Sequence, residues 1–172
     1  LSAGTAMSPG NDIGGSSATT ANSISNWGTN SLNSGNLAFF GIPQELNGIY
    51  AANQTGLNIS WNNITSATGI DAGVAAFRGI CSDFINAAPT GTFTNSITNN
   101  IIALNSNAVA GPFQAISQLN TVSSAAVPGF TLNLNNNTLS SALTGPASAV
   151  TFVGISNAFP SGTLNISGNI IR

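Results

Sequence analysis

FTLNLN, residues Phe130–Asn135, alternates without a break. In an extended chain Phe130, Leu132 and Leu134 share one face, and Thr131, Asn133 and Asn135 share the other. That two-residue period marks a half-buried strand, and it recurs along the chain. Leu57, Ile59 and Trp61 oppose Asn58 and Ser60, while Leu164 and Ile166 oppose Thr163, Asn165 and Ser167. Further strands are predicted over Leu37–Ile42, Thr92–Ile97, Ile101–Leu104, Leu139–Leu143 and Val150–Ile155. Turn signals separate them: Asn47-Gly48, Pro89-Thr90-Gly91, Pro128-Gly129, Gly145-Pro146, and Pro160 with Gly162. No fixed-period repeat is evident.

One segment departs from this period. Ile70, Val74, Phe77, Cys81 and Phe84 recur at helical spacing, predicting an amphipathic helix over about 70–86 that Pro89 would stop. Cys81 falls on the apolar face and reads as a small buried hydrophobe. Phe113, Ile116 and Leu119 give a second, weaker helical pattern.

The charge content is extreme. Of 172 residues only Asp12, Glu45, Asp71, Asp83, Arg78 and Arg172 carry a formal charge, where ordinary domains devote about a quarter of their residues to charged side chains. Asn, Ser, Thr and Gly take their place. Protonating all four carboxylates would move the formal net charge only from -2 to +2. The fold should therefore be nearly indifferent to acid. Two arginines cannot neutralise a phosphate backbone, which argues against nucleic-acid binding. No apolar run reaches the length of about 18 residues needed to span a bilayer. The opening at Leu1, without an initiator Met or apolar signal region, reads as a mature, processed chain.

Little catalytic chemistry is on offer. With no His and no Lys, the usual base for a Ser or Cys nucleophile is missing, as are Schiff-base chemistry and most zinc sites. The four carboxylates include no diagnostic pair for glycoside hydrolysis. Gly10, Gly14 and Gly15 form no phosphate-cradling loop. We therefore expect no catalytic residues, no metal site and no cofactor. A single cysteine excludes an intrachain disulfide.

Residues 1–35 are small and polar, too poor in large apolar side chains to build a core alone. Leu1, Ala3, Thr5 and Met7 nevertheless alternate with Ser2, Gly4 and Ala6. Such a strand could add to the sheet edge of a neighbouring subunit, with the rest of the segment as linker. Sequons place candidate N-glycosylation at Asn53, Asn58, Asn63, Asn136 and Asn165. Their number is what so much Asn, Ser and Thr produces by chance. Their predicted positions, outward on strands or in loops, make all five reachable.

A lysine-free chain rich in Asn, Ser and Thr, with a polar N-terminal extension and a strand-rich body, resembles the thread pilins of thermoacidophilic archaea. Unlike bacterial type 1 pilins, it lacks the common cysteine pair. The resemblance implies an Ig-like, pilin-like β-sandwich over 36–172 carrying the one short helix, and a donor segment and linker over 1–35. It implies donor strands at Leu1, Ala3, Thr5 and Met7, N-linked glycans at the five asparagines, and identical subunits as partners in a homopolymer. The expected role is structural, in an extracellular surface filament that serves adhesion or biofilm. The alternatives are a secreted or cell-wall carbohydrate-binding module, using Trp27, Trp61 or Tyr50 as a stacking platform, and a viral capsid or sheath subunit. On the alternating pattern Trp61 faces the core.

Overall fold

The computed structural model of the chain describes residues 8–27, 45–68, 76–85, 89–106, 113–120, 127–143, 151–159 and 161–172. The strands are β1 Ser8–Pro9, β2 Asp12–Gly14, β3 Asn22–Trp27, β4 Glu45–Ala52, β5 Gln54–Thr55 and β6 Asn58–Ser60. They continue with β7 Asn62–Ser66, β8 Ala76–Phe84, β9 Phe93–Thr98, β10 Ile101–Ser106 and β11 Phe113–Asn120. The last are β12 Val127–Asn135, β13 Thr138–Leu143, β14 Phe152–Asn157, β15 Ser161–Ser167 and β16 Ile170–Ile171. One short 3-10 turn, Ala18–Thr20, is the only helical element among the described residues.

Every described strand pair is parallel. Three sheets result, ordered β2-β6-β9-β12-β15 (sheet 1), β3-β7-β10-β13-β16 (sheet 2) and β4-β8-β11-β14 (sheet 3), beside the small pair β1-β5. From β6 onward the chain visits sheets 1, 2 and 3 in turn and then begins again one rung further along. This is a coil, and the molecule is a parallel β-solenoid. The expected sandwich is overturned, because a sandwich is built from antiparallel neighbours within each sheet. Alternation reports which side chains face inward; it is silent on the direction of the neighbouring strand.

The predicted helix over about 70–86 is overturned too. Ala76–Phe84 is a strand buried along its whole length, while 69–75 lie outside the described residues. A strand covered on both faces has apolar residues on every side, and a helical spacing can be picked out of such a run. The pattern Phe113, Ile116, Leu119 likewise belongs to a strand, β11.

Register explains the core. Ile13, Ile59, Ile97, Leu134 and Ile166 stack in sheet 1, and Ile24, Ile64, Ile102, Leu139 and Ile171 stack in sheet 2. Sheet 3 contributes Ile49, Ile80, Ile116 and Ile155. The middle rungs of all three rows are fully buried: Ile59, Ile97, Leu134, Ile64, Ile102, Leu139, Ile80 and Ile116 are each 0% exposed. Aromatic rows run beside them. Phe93 and Phe130 stack at 4.7 Å, and Phe77 and Phe113 at 5.6 Å. Where sheet 3 approaches sheet 2, bulk is excluded. A Cβ on Gly79 would lie 2.5 Å from Ile102 Cγ2 and 2.7 Å from the Ala115 carbonyl oxygen. That accounts for Asn47-Gly48, read as a turn, lying inside β4: a Cβ on Gly48 would meet the Gly79 carbonyl oxygen at 2.7 Å.

Cys81 is fully buried, as its apolar setting predicted. Ser8–Trp27 of the N-terminal segment pairs with Gln54–Ser66 of its own chain through β1, β2 and β3. Leu1, Ala3, Thr5, Met7 and the predicted strand Leu37–Ile42 lie outside the described residues.

Candidate functional site

The corner between sheets 1 and 2 is built the same way in four successive coils. The corner residue has left-handed backbone: Trp61 (φ 57), Asn99 (φ 58), Asn136 (φ 57) and Gly168 (φ 64). Asn and Gly adopt that conformation readily. An asparagine follows each of them: Asn62, Asn100, Asn137 and Asn169.

These four asparagines form a ladder. The Asn62 backbone N–H and Nδ2 each donate to Asn100 Oδ1 at 3.0 Å. Asn100 donates in the same two ways to Asn137 Oδ1, both at 3.0 Å, and Asn137 to Asn169 Oδ1 at 2.9 and 3.0 Å. The second Nδ2 hydrogen of each reaches back to the preceding coil, to the carbonyl oxygens of Ile13, Ile59, Ile97 and Leu134 in order. At the N-terminal end Asn22 Nδ2 donates to Asn62 Oδ1 at 3.4 Å. Only a primary amide offers two donors and an acceptor on so short an arm, which is why asparagine recurs here. Asn62, Asn100 and Asn137 are buried and fully used, so they hold coils together and offer nothing to a ligand.

The sequence carries this corner openly. ISWNNI (59–64), ITNNII (97–102), LNNNTL (134–139) and ISGNII (166–171) share one pattern: aliphatic, polar, left-handed corner, Asn, any residue, aliphatic. Their spacing of 38, 37 and 32 residues follows the strand register. Loops of unequal length between coils hide it from a search for a constant period.

Trp61 breaks the pattern. A bulky side chain in left-handed backbone costs about 1–2 kcal/mol, and the equivalent corners are Asn, Asn and Gly. Trp61 is partly exposed. Two grooves share it. One, of ≈ 480 Å³, is lined with Asp12, Gly15, Ser16, Asn58, Ser60 and Thr98; the other, of ≈ 290 Å³, with Ala18, Asn63, Asn99, Ile101, Asn136 and Thr138. Trp61 therefore does not belong to the core row of Leu57 and Ile59. Trp27 stacks on Phe77 at 4.6 Å, and Tyr50 is 47% exposed on sheet 3. The three aromatics do not form one platform.

The sequons separate by burial. Asn63, Asn136 and Asn165 are exposed and Asn58 is half-buried, but Asn53 is 2% exposed, with Oδ1 accepting from the Ile85 N–H at 2.9 Å. Asn58 and Asn165 point outward, as the alternation predicted. The claim that all five are reachable fails at Asn53. Among the described residues no three His, Cys, Asp or Glu side chains gather as metal ligands, and no helix is long and apolar enough to cross a membrane. Arg78 is buried, with Nε donating to Gln114 Oε1 of the next coil at 3.0 Å.

The two ends of the coil differ from its middle. In the last coil the inward rows end on Leu164 (43% exposed), Ile166 (50%) and Ile171 (55%), whereas Leu132, Leu134 and Leu139 beneath them are at 0%. Fold and corner together define a low-charge parallel β-solenoid held by an internal asparagine ladder. Compared with protein-family models, curated proteins and solved structures, the chain matches none.

Proposed function

We propose that the chain is a structural subunit of an extracellular surface filament, in which copies add head to tail. The observation that carries this is the last coil's exposed apolar edge, Leu164, Ile166 and Ile171, lying above fully buried equivalents. An exposed parallel edge with apolar inward rows is a template for another strand. A second copy suits it. The hydrogen-bond ladder is polar: each backbone N–H donates to an Oδ1 one coil further on, so the next acceptor after Asn169 would belong to a new coil. The first coil presents Asn22, exposed and already aligned with Asn62, together with the half-buried Ile13 and Ile24 of the same inward rows. Charge also favours this polarity, since the exposed Asp12 lies on the first coil and the exposed Arg172 on the last. Contact between unlike ends is heterologous, and when each copy stacks along the coil axis of the last it builds an open filament.

In this scheme the N-terminal coil as a whole, with Leu1–Met7 leading into it, is what a subunit donates. Surface adhesion and N-glycosylation fit the hydroxyl- and amide-rich exterior. The test is negative-stain electron microscopy of the protein beside I166K and a variant lacking Leu1–Met7. Filaments lost in I166K, with the coil still folded by circular dichroism, support end-on addition. Filaments untouched by I166K, or a wild-type protein that stays monomeric at high concentration, overturn it. Loss in the truncation alone would assign the contact to strand donation instead.

A further inference from the structure

We infer that Trp61 is the platform of a binding site for a neutral saccharide, at the corner where the first coil lies against those that follow. Three observations converge on it. Trp61 is an aromatic residue held in left-handed backbone at a corner where the following coils use Asn99, Asn136 and Gly168. A ladder corner needs only Asn or Gly, so the indole serves something other than the turn. It also borders two grooves at once, of ≈ 480 and ≈ 290 Å³, which lie in the size range of small-ligand sites and suit one or two sugar rings.

The groove walls select the chemistry. Asn58, Ser60 and Thr98 on one side, and Asn63, Asn99 and Thr138 on the other, supply amides and hydroxyls that can both donate and accept. The C–H face of a pyranose packs against an indole while its hydroxyls meet such groups. Asp12 is the single charged side chain lining either groove, so acidic sugars are repelled and neutral ones are not. The saccharide is therefore a neutral hexose chain, and its rings would lie along the corner on either side of Trp61.

The coil itself supplies the decisive variant. W61N restores the residue type of the next two coils, so its thermal midpoint should be unchanged or higher. Titration of the full chain with neutral hexo-oligosaccharides (cello-, manno- and malto-oligomers) by calorimetry should give saturable binding, lost by at least tenfold in W61N and retained within a few-fold in W61F. In the wild-type protein, titration followed by the two tryptophan indole N–H resonances should move that of Trp61 and leave that of Trp27 in place. The inference is overturned if none of these saccharides binds the wild-type protein, if W61N binds as tightly, or if Trp61 is unmoved by a saccharide that binds. The readouts use unassembled protein, so failure of end-on addition would leave them intact.

Discussion

Asn100 shows what one residue contributes to this fold. Its amide makes or receives bonds to Asn62, Ile59, Thr98 and Asn137, and the residue is fully buried. N100A leaves several buried groups unpaired and should cost about 3 kcal/mol or more. That corresponds to a fall in melting temperature of roughly 6–12 °C for a chain this long. N100D tests the same site differently. Burial raises the pKa of the introduced carboxyl above its unfolded value of about 3.9, so the native state binds the extra proton. Stability should then be closest to wild type at low pH and fall as pH rises through about 4 and beyond, as denaturant titrations at pH 3 and pH 7 would register. A pH-independent N100D would mean the carboxyl is solvated and the corner open. Gly79 is the steric counterpart. G79A drives a Cβ into Ile102 and the Ala115 carbonyl and should cost about 1–3 kcal/mol, measured by the same titration.

At the scale of the element, rung order is the sharpest prediction. Thr94, Thr131 and Thr163 occupy one outward row on β9, β12 and β15. Neighbouring rungs are about 4.8 Å apart, within disulfide reach, and alternate rungs about 9.6 Å apart are not. With Cys81 replaced by alanine, T94C/T131C and T131C/T163C should oxidise to completion and T94C/T163C should not. An antiparallel sandwich has no reason to give that pattern, and mapping by non-reducing gels with mass spectrometry reads it directly. This is also where the sequence was legible and where it was not. The inward faces of Phe130-Leu132-Leu134 and Leu57-Ile59 could be read because period two depends only on the strand itself. Strand direction depends on a partner about 37 residues away and leaves no mark on alternation. Phe77, Cys81 and Phe84 misled because β8 is covered on both faces. The asparagine corner was legible in ISWNNI, ITNNII, LNNNTL and ISGNII. It escaped a search for constant spacing because the loops between coils differ in length, and because Trp61 and Gly168 replace the more frequent corner asparagine.

For the whole molecule, so little charge leaves stability with few protons to bind or lose. Asp12 and Arg172 are exposed, and Arg78 and Asp83 are buried. The melting temperature should therefore change by only a few degrees between pH 2 and pH 8, in contrast to N100D. Glycan mapping of protein from its native source should find occupancy at the exposed Asn165, which lies outside both grooves, and none at the buried Asn53. Occupied Asn53 would require modification before the coil closes.

Coils stack within a subunit, and under end-on addition they continue from one subunit to the next. Diffraction, or the power spectrum of cryo-electron micrographs, from aligned filaments tests it most directly. End-on addition puts every strand across the filament axis, so a strong meridional reflection near 4.8 Å is expected, from rungs that run on across each junction. Filaments without that reflection, or with strands running along the axis, would contradict it.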